Sequence, residues 1–349
     1  MDNILPAYND PLFSILVIVV LILIVAITSL LMGRAKESKK SQTLKKFLGT
    51  FKKNHTLLNL EELPFEQALI KPLTLLSEAF CNQGEYQKAI NLNLYLIENI
   101  SNFFEKEKIL EQLGHTYLKA GFLKRSESIY LEILDKHPRN TTALYNLGVV
   151  YELLHEYDKT LETLEPLKIL GEDVRKLEMH INLSKLLENQ TISRAEKIET
   201  LEKLLTEEHH PYRRIIQALF NLDLEVAWRH IYENRIDQIL DILWLLPSSN
   251  LNFDIIATSE TLRAIYLANG KISDELSEIK SNIFTIDTIL SARKGGDYNV
   301  DLSFNYGCGK CKQHFPISFT RCPKCYNIDL IQIKETLAKK QSKTSYSLL

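Results

Sequence analysis

Residues 113–151 read LGHTYLKAGFLKRSESIYLEILDKHPRNTTALYNLGVVY, and this stretch decides the fold. A Leu-Gly pair followed by a tyrosine stands at its start and returns 34 residues later, as Leu113, Gly114 and Tyr117, then Leu147, Gly148 and Tyr151. Between these points the apolar residues recur three and four positions apart, which predicts amphipathic helices. A fixed period of this length indicates a stack of similar helix pairs.

The period of 34 residues is that of tetratricopeptide repeats. In the middle repeat, Gly121 ends the first helix and Ser126 occupies the small position where the two helices cross. Tyr130 then lies on the second helix, which Pro138 closes. We expect Gly114 to allow the two helices of the pair to approach closely, and large residues at the following turn to fill the space between pairs.

Further repeat units flank the middle one. The upstream unit, offset by 37 residues, carries Leu76, Ser77, Phe80, Gly84, Tyr86 and Ala89, and the downstream unit continues with Tyr157, Thr160 and Leu164. Beyond Leu170 the spacing degrades, although helix pairs are predicted at 183–205, 215–246 and 262–290. The sequence therefore predicts an all-α tetratricopeptide-repeat superhelical solenoid over residues 57–292, whose concave surface would bind a peptide or a helix of a partner.

An apolar run and a basic run precede the repeats. Residues 12–32 carry no charge and, at about 1.5 Å per residue, would span about 31 Å, close to the hydrocarbon thickness of a bilayer. Residues 34–53 hold eight basic residues against one acid. The positive-inside rule then predicts a single-pass membrane protein with its bulk in the cytoplasm. Its parts are an extracytoplasmic N-terminus at 1–11, a transmembrane helix at 12–32 and a basic juxtamembrane linker at 33–56.

Four of the five cysteines lie within 18 residues, as two CxxC motifs separated by ten residues. Two such motifs place four thiolates around one ion, so the predicted metal ligands are Cys308, Cys311, Cys322 and Cys325. The expected cofactor is one zinc ion, with iron as the alternative because both metals accept four thiolates in a tetrahedron. Such a closed site leaves no position for a substrate. Cys81 stands apart and is predicted to be a small buried hydrophobic residue.

The remaining boundaries and exclusions follow from composition and motifs. Gly295 and Gly296 predict a linker at 293–303, followed by a rubredoxin-like or zinc-ribbon knuckle at 304–333 and a polar tail at 334–349. The chain contains no phosphate-binding loop, HExxH motif or GxSxG elbow, so no enzyme and no catalytic residue is expected. The formal net charge of −2 and the lack of a wide basic face argue against a nucleic-acid partner. The sequence leaves open whether the body forms a homodimer.

The order of an N-terminal anchor, helical repeats and a terminal four-cysteine knuckle resembles the lipopolysaccharide assembly protein B (LapB) family. Met32-Gly33-Arg34, Gly84-Glu85-Tyr86 and the stretch 113–121 carry the resemblance, and the four cysteines match that family's rubredoxin-type metal ligands. The resemblance implies an adaptor at the bacterial inner membrane that regulates lipopolysaccharide biosynthesis. It would link the membrane AAA+ protease FtsH to the deacetylase LpxC and promote degradation of LpxC. The alternatives are a generic repeat scaffold of another inner-membrane complex and a rubredoxin-like redox protein.

Overall fold

The computed structural model describes residues 65–207, 210–273, 279–328 and 330–340. Over these ranges no helix is both long enough and apolar enough to cross a membrane. This finding corrects the predicted single-pass inner-membrane location. The segments to which that prediction was assigned, 1–11, 12–32 and 33–56, lie outside the described residues.

The chain divides into two compact units between Val150 and Tyr151. The first unit is a series of helix pairs, in which each of the first three helices contacts the next. Its helices are α1 (Ile70–Asn82), α2 (Tyr86–Asn99), α3 (Phe103–Lys119), α4 (Leu123–Lys136) and α5 (Thr141–Leu153), the last of which ends in the second unit. Gly121 follows α3 with a φ of +79°, a left-handed conformation that glycine adopts without steric cost. The predicted end of this helix is therefore confirmed.

The predicted close approach of α3 and α4 occurs at Gly114. A Cβ atom at this position would lie 2.9 Å from the ring of Tyr130, so any side chain would push the two helices apart. The buried hydroxyl of Ser126 donates a hydrogen bond to the carbonyl oxygen of Gly114 over 2.8 Å. In the preceding pair, Ser77 donates to the carbonyl oxygen of Ala89 over 3.1 Å. Both bonds join residues 12 positions apart, so the two pairs use the same contact with the donor exchanged.

The second unit remains helical but is less regular. Its helices are α6 (Tyr157–Ile169), α7 (Arg175–Glu188), α8 (Arg194–Leu204), α9 (Tyr212–Leu222), α10 (Leu224–Arg229), α11 (Leu240–Leu245), α12 (Phe253–Thr258), α13 (Glu260–Asn269) and α14 (Phe284–Lys294). The pairs predicted at 183–205 and 262–290 correspond to α7 with α8 and α13 with α14. The pair predicted at 215–246 is interrupted, because α10 and α11 have six residues each and a 3₁₀ turn at Glu233–Gln238 separates them.

The C-terminal part of the second unit contains a three-stranded antiparallel sheet, so the all-α prediction is wrong for this part of the chain. Strand β1 (Val300–Cys308) lies in the centre, with β2 (His314–Phe315) on one side and β3 (Ile331–Lys339) on the other. The strand β1 begins inside the segment predicted as a linker, 293–303. The strand β3 continues into the segment predicted as a polar tail, 334–349.

Strand β1 attaches the sheet to the helices of its unit. Leu302 belongs to the hydrophobic core that these helices form. The buried hydroxyl of Tyr306 donates a hydrogen bond to Asp241 over 2.8 Å, and the indole N–H of Trp244 donates to Asp301 over 3.0 Å. Within the second unit, the segment that carries the cysteines therefore packs on the helical body.

Candidate metal centre

The four predicted ligands lie together at the end of the sheet. Their sulfur atoms are all within 4.8 Å of one another. The sulfurs of Cys308 and Cys325 are 3.6 Å apart, and those of Cys311 and Cys322 are 3.7 Å apart. Sulfurs at about 2.3 Å from a tetrahedral metal ion are separated by about 3.8 Å, so the spacing fits one ion. All four cysteines are free of disulfide bonds.

Two turns of the same construction hold the sulfur atoms. In the first turn, the N–H of Cys308 donates to the carbonyl of Gln313 and the N–H of Lys312 donates to the carbonyl of Cys308, each over 2.9 Å. The same two bonds recur with Cys322 and Tyr326 in the places of Cys308 and Lys312, at 2.8 and 2.9 Å. Lys312 and Tyr326 both adopt a positive φ, +59° and +54°, which side chains other than glycine rarely adopt. The turns thus hold both residues in a strained but matching conformation.

Each turn is the tip of a short hairpin. Gly307, before the first turn, pairs with His314 after it. Arg321, before the second turn, pairs with Ile328 after it. The sequence predicted that the four cysteines lie together but did not predict this repetition. The available signal was the lysine that stands at the third position of both CxxC motifs, which indicates two related turns.

The environment shifts the pKa values of Cys308 and Cys322 in opposite directions. Burial raises the pKa of Cys308. Hydrogen bonds from the backbone N–H groups of Cys311 and Lys310 outweigh this effect and lower the pKa to about 7. Burial and the shared hydrogen bonds with Cys325 and Cys308 raise the pKa of Cys322 to about 12. A divalent cation at the centre would supply the positive charge that four neighbouring thiolates require.

The donor set determines which ions the site suits. Four sulfur ligands with no oxygen or nitrogen donor suit zinc or iron, and both metals accept this tetrahedral arrangement. Because the protein would supply all four ligands, no coordination position remains for a substrate. The four cysteines can therefore hold an ion that stabilises the local fold.

A buried ion pair joins the second turn to the helical body. Arg321, adjacent to Cys322, donates hydrogen bonds to the carbonyl of Tyr326 and to the carboxylate of Glu152. The side chains of Arg321 and Glu152 are 7% and 11% exposed. Glu152 also bonds to Nε2 of His180 over 2.9 Å. Burial raises the pKa of Glu152, but the hydrogen bonds from His180 and Arg321 lower it more strongly, to about 2. Glu152 is therefore a carboxylate at neutral pH.

His180 extends this network to helix α9. Its Nδ1 lies 3.0 Å from the guanidinium of Arg214, which also donates to the carbonyl of His180 over 3.0 Å and to the hydroxyl of Ser184 over 2.6 Å. Arginine only donates and the carboxylate of Glu152 only accepts, so Nδ1 of His180 accepts from Arg214 and Nε2 donates to Glu152. Sequence reasoning missed the network because its members come from distant segments of the chain.

A cleft of about 1160 Å³ lies beside this network. Its walls include residues of α7 and α9, the segment 318–321 before the second turn and the first half of β3. The volume exceeds the roughly 300–1000 Å³ that is typical of small-molecule sites. The cleft is therefore large enough for a segment of polypeptide.

No protein-family model matches the chain. Lipopolysaccharide assembly protein B of Escherichia coli (strain K12) is 28% identical to it over 123 residues, which are 35% of this chain and 32% of that protein. The protein of the same name from Haemophilus influenzae (strain ATCC 51907 / DSM 11121 / KW20 / Rd) is 26% identical over 135 residues, or 38% and 34% of the two chains. The matched part spans about a third of the length of these curated relatives. The resemblance to lipopolysaccharide assembly protein B is thus confirmed over about a third of the chain.

Proposed function

We propose that the chain is a non-enzymatic adaptor in lipopolysaccharide assembly. The observation that carries this proposal is a four-thiol cluster joined to the helices of its own unit, in a chain similar to lipopolysaccharide assembly protein B. A closed cluster suits a structural role, and stacked helix pairs offer extended surfaces for protein partners. In this proposal Cys308, Cys311, Cys322 and Cys325 hold one zinc ion.

The helix pairs of the first unit are assigned to the tetratricopeptide-repeat class. The 34-residue period in the sequence supports this assignment, as does the close contact of α3 and α4 at Gly114. The recurrence of a 12-residue hydrogen bond in the preceding pair supports it as well. Repeats of this class bind peptides and helices without a catalytic group.

The proposed partners are the protease FtsH and the deacetylase LpxC, as the LapB resemblance implies. An adaptor that holds a protease and its substrate together raises their effective concentration, which reaches the millimolar range for short flexible links. Faster degradation of LpxC then needs no chemistry by the adaptor itself.

The half-life of LpxC tests this function. We expect LpxC to persist longer after translation is stopped in cells depleted of this chain than in undepleted cells. Re-expression of the wild-type chain, or of a Cys81→Ala variant altered outside the cluster, should restore rapid degradation. Re-expression of Cys322→Ser should not restore it. An unchanged LpxC half-life after depletion would reject the assignment.

A further inference from the structure

The outer edge of β3 presents backbone groups that β1 does not use. The N–H of Gly309 donates to the carbonyl of Leu330, and the N–H of Lys340 donates to the carbonyl of Asn299, each over 2.6 Å. Residues of an antiparallel strand alternate between facing the neighbouring strand and facing away from it. The even-numbered residues of β3 therefore bond to β1, and the odd-numbered residues direct their N–H and C=O groups outward.

Three of these outward positions line the cleft beside the metal centre: Ile331, Ile333 and Glu335. Across the residues that the structure describes, no backbone hydrogen bond reaches the outward groups of these three residues. A row of open backbone donors and acceptors is a template for another strand. A small molecule would not match a row of this length, whereas an extended polypeptide pairs with it group by group.

The charges of the cleft further specify the occupant. Glu335, Asp237 and Lys176 of α7 all line it, and no ion pair is found for any of the three within the described ranges. Asp237 belongs to the 3₁₀ turn Glu233–Gln238, which contacts β3. Two carboxylates against one lysine leave these three groups with a net negative charge, which favours a ligand with a basic side chain.

We propose that the cleft binds an extended polypeptide segment with a lysine or arginine, which adds to β3 as a fourth strand. The segment spans about five residues, because Ile331, Ile333 and Glu335 cover five positions and an antiparallel strand rises about 3.4 Å per residue. The sheet order becomes β2, β1, β3 and then the bound segment. This inference rests on the proposed adaptor function and gives it a peptide-binding surface.

A synthetic probe tests the inference on the full metal-loaded chain. The probe is fluorescein-labelled Thr-Val-Lys-Val-Thr with blocked ends, and fluorescence anisotropy measures its dissociation constant. Two matched probes carry N-methyl groups on alternate amides, so that each lacks the hydrogen-bond donors of one of its two edges and retains the side chains. We expect saturable binding of the unmethylated probe. The probe whose methylated edge faces β3 should bind at least tenfold more weakly than the unmethylated probe. Replacement of the probe lysine by glutamine should weaken binding severalfold.

Two proline variants locate the site. Ile333→Pro removes an outward N–H inside the cleft, whereas Leu337→Pro removes an outward N–H of the same strand beyond the cleft lining. Neither change removes a bond to β1, and proline is tolerated at such edge positions. We expect Ile333→Pro to weaken the probe at least tenfold and Leu337→Pro to leave it within twofold of wild type. Equal metal content and equal circular dichroism establish that both variants fold.

Several outcomes would overturn the inference. They are the absence of saturable probe binding, and equal binding of probes methylated on either edge. If Ile333→Pro does not fold, the methylated probes alone decide. A chain mass that rises with concentration, and that Ile333→Pro returns to the monomer value, would assign the edge to a second copy and reject the peptide.

The two proposals can fail separately. If the probe does not bind but the half-life of LpxC still depends on the chain, this site alone is rejected. If the probe binds but the half-life of LpxC is unchanged after depletion of the chain, the adaptor function alone is rejected.

Discussion

The two units of the chain are stabilised by different kinds of contact. In the first unit, neighbouring helix pairs repeat one close contact, as the 12-residue bonds of Ser77 and Ser126 illustrate. In the second unit, buried charged groups join segments far apart in sequence, such as Glu152 and Arg321. Repeated local packing leaves a period in the sequence, whereas a single long-range ion pair leaves none. The second unit should therefore depend more strongly on individual residues and on the metal ion.

Metal removal should separate the two units most sharply. Metal binding contributes about 10 to 16 kcal/mol to the folding of small zinc peptides. We expect a chelator to abolish hydrogen-exchange protection in β1 and β3 and to leave protection in α3 and α4 unchanged. Hydrogen exchange read by mass spectrometry measures both, and the released metal identifies zinc or iron. Unchanged exchange in the strands would show that the cluster does not stabilise them.

A buried carboxylate provides the next largest effect. Asp241 is 4% exposed, accepts two hydrogen bonds from Arg213 at 2.5 and 2.6 Å, and accepts a third from Tyr306. Asp241→Ala would leave the buried guanidinium without its partner and should lower the free energy of unfolding by about 3 to 5 kcal/mol. Urea denaturation of the metal-loaded chain measures this loss. The control Asp173→Ala breaks an exposed pair with Arg175 and should not change the transition measurably.

Gly114 tests the packing of the first unit. Alanine normally stabilises a helix relative to glycine, by about 0.5 to 1 kcal/mol. Here the added Cβ would meet the ring of Tyr130 at 2.9 Å, so Gly114→Ala should instead destabilise the chain by up to about 3 kcal/mol. Urea denaturation distinguishes the two signs. A stabilised variant would contradict the close contact of α3 with α4.

The smallest predicted effect concerns pH. Burial, with a contribution from Lys119, lowers the pKa of His115 to about 4 from an ordinary value of 6.5. Between these values the unfolded chain binds a proton that the folded chain does not, so stability falls as the pH drops. From pH 7 to pH 5 wild type should lose roughly 1 to 2 kcal/mol more than His115→Gln. Equal losses in the two chains would contradict a half-buried His115 with a lowered pKa.

Sequence patterns were sufficient to predict the helix pair of α3 and α4 and the clustering of the four cysteines. The positions of Gly114, Gly121 and Ser126 follow from a 34-residue motif, and the cluster of four cysteines follows from the spacing of two CxxC motifs. Strand β3 was not predicted from the sequence, because its exposed lysines and its few apolar residues resemble a polar tail. Strand β3 pairs with β1, and the segment that carries the cysteines lies between the two strands in the sequence. A local sequence pattern does not indicate such a distant pairing.

The buried network was beyond sequence reasoning for a related reason. Glu152 and Arg321 are separated by 169 residues, and Glu152 and His180 by 28. In the sequence, each of the three is an ordinary polar residue within or beside a predicted element. The three residues come together only in the folded chain. There each buried polar group needs the next as its hydrogen-bond partner.

Hydrogen exchange of helix α7, which carries His180, tests most directly whether the metal centre is coupled to the helical body. In the wild-type chain, removal of the metal should lower protection in α7 as well as in the strands. In Glu152→Gln, removal should still affect the strands but should no longer change α7, because the ionic link to Arg321 is weakened. Equal protection of α7 with and without metal in the wild-type chain would contradict the coupling.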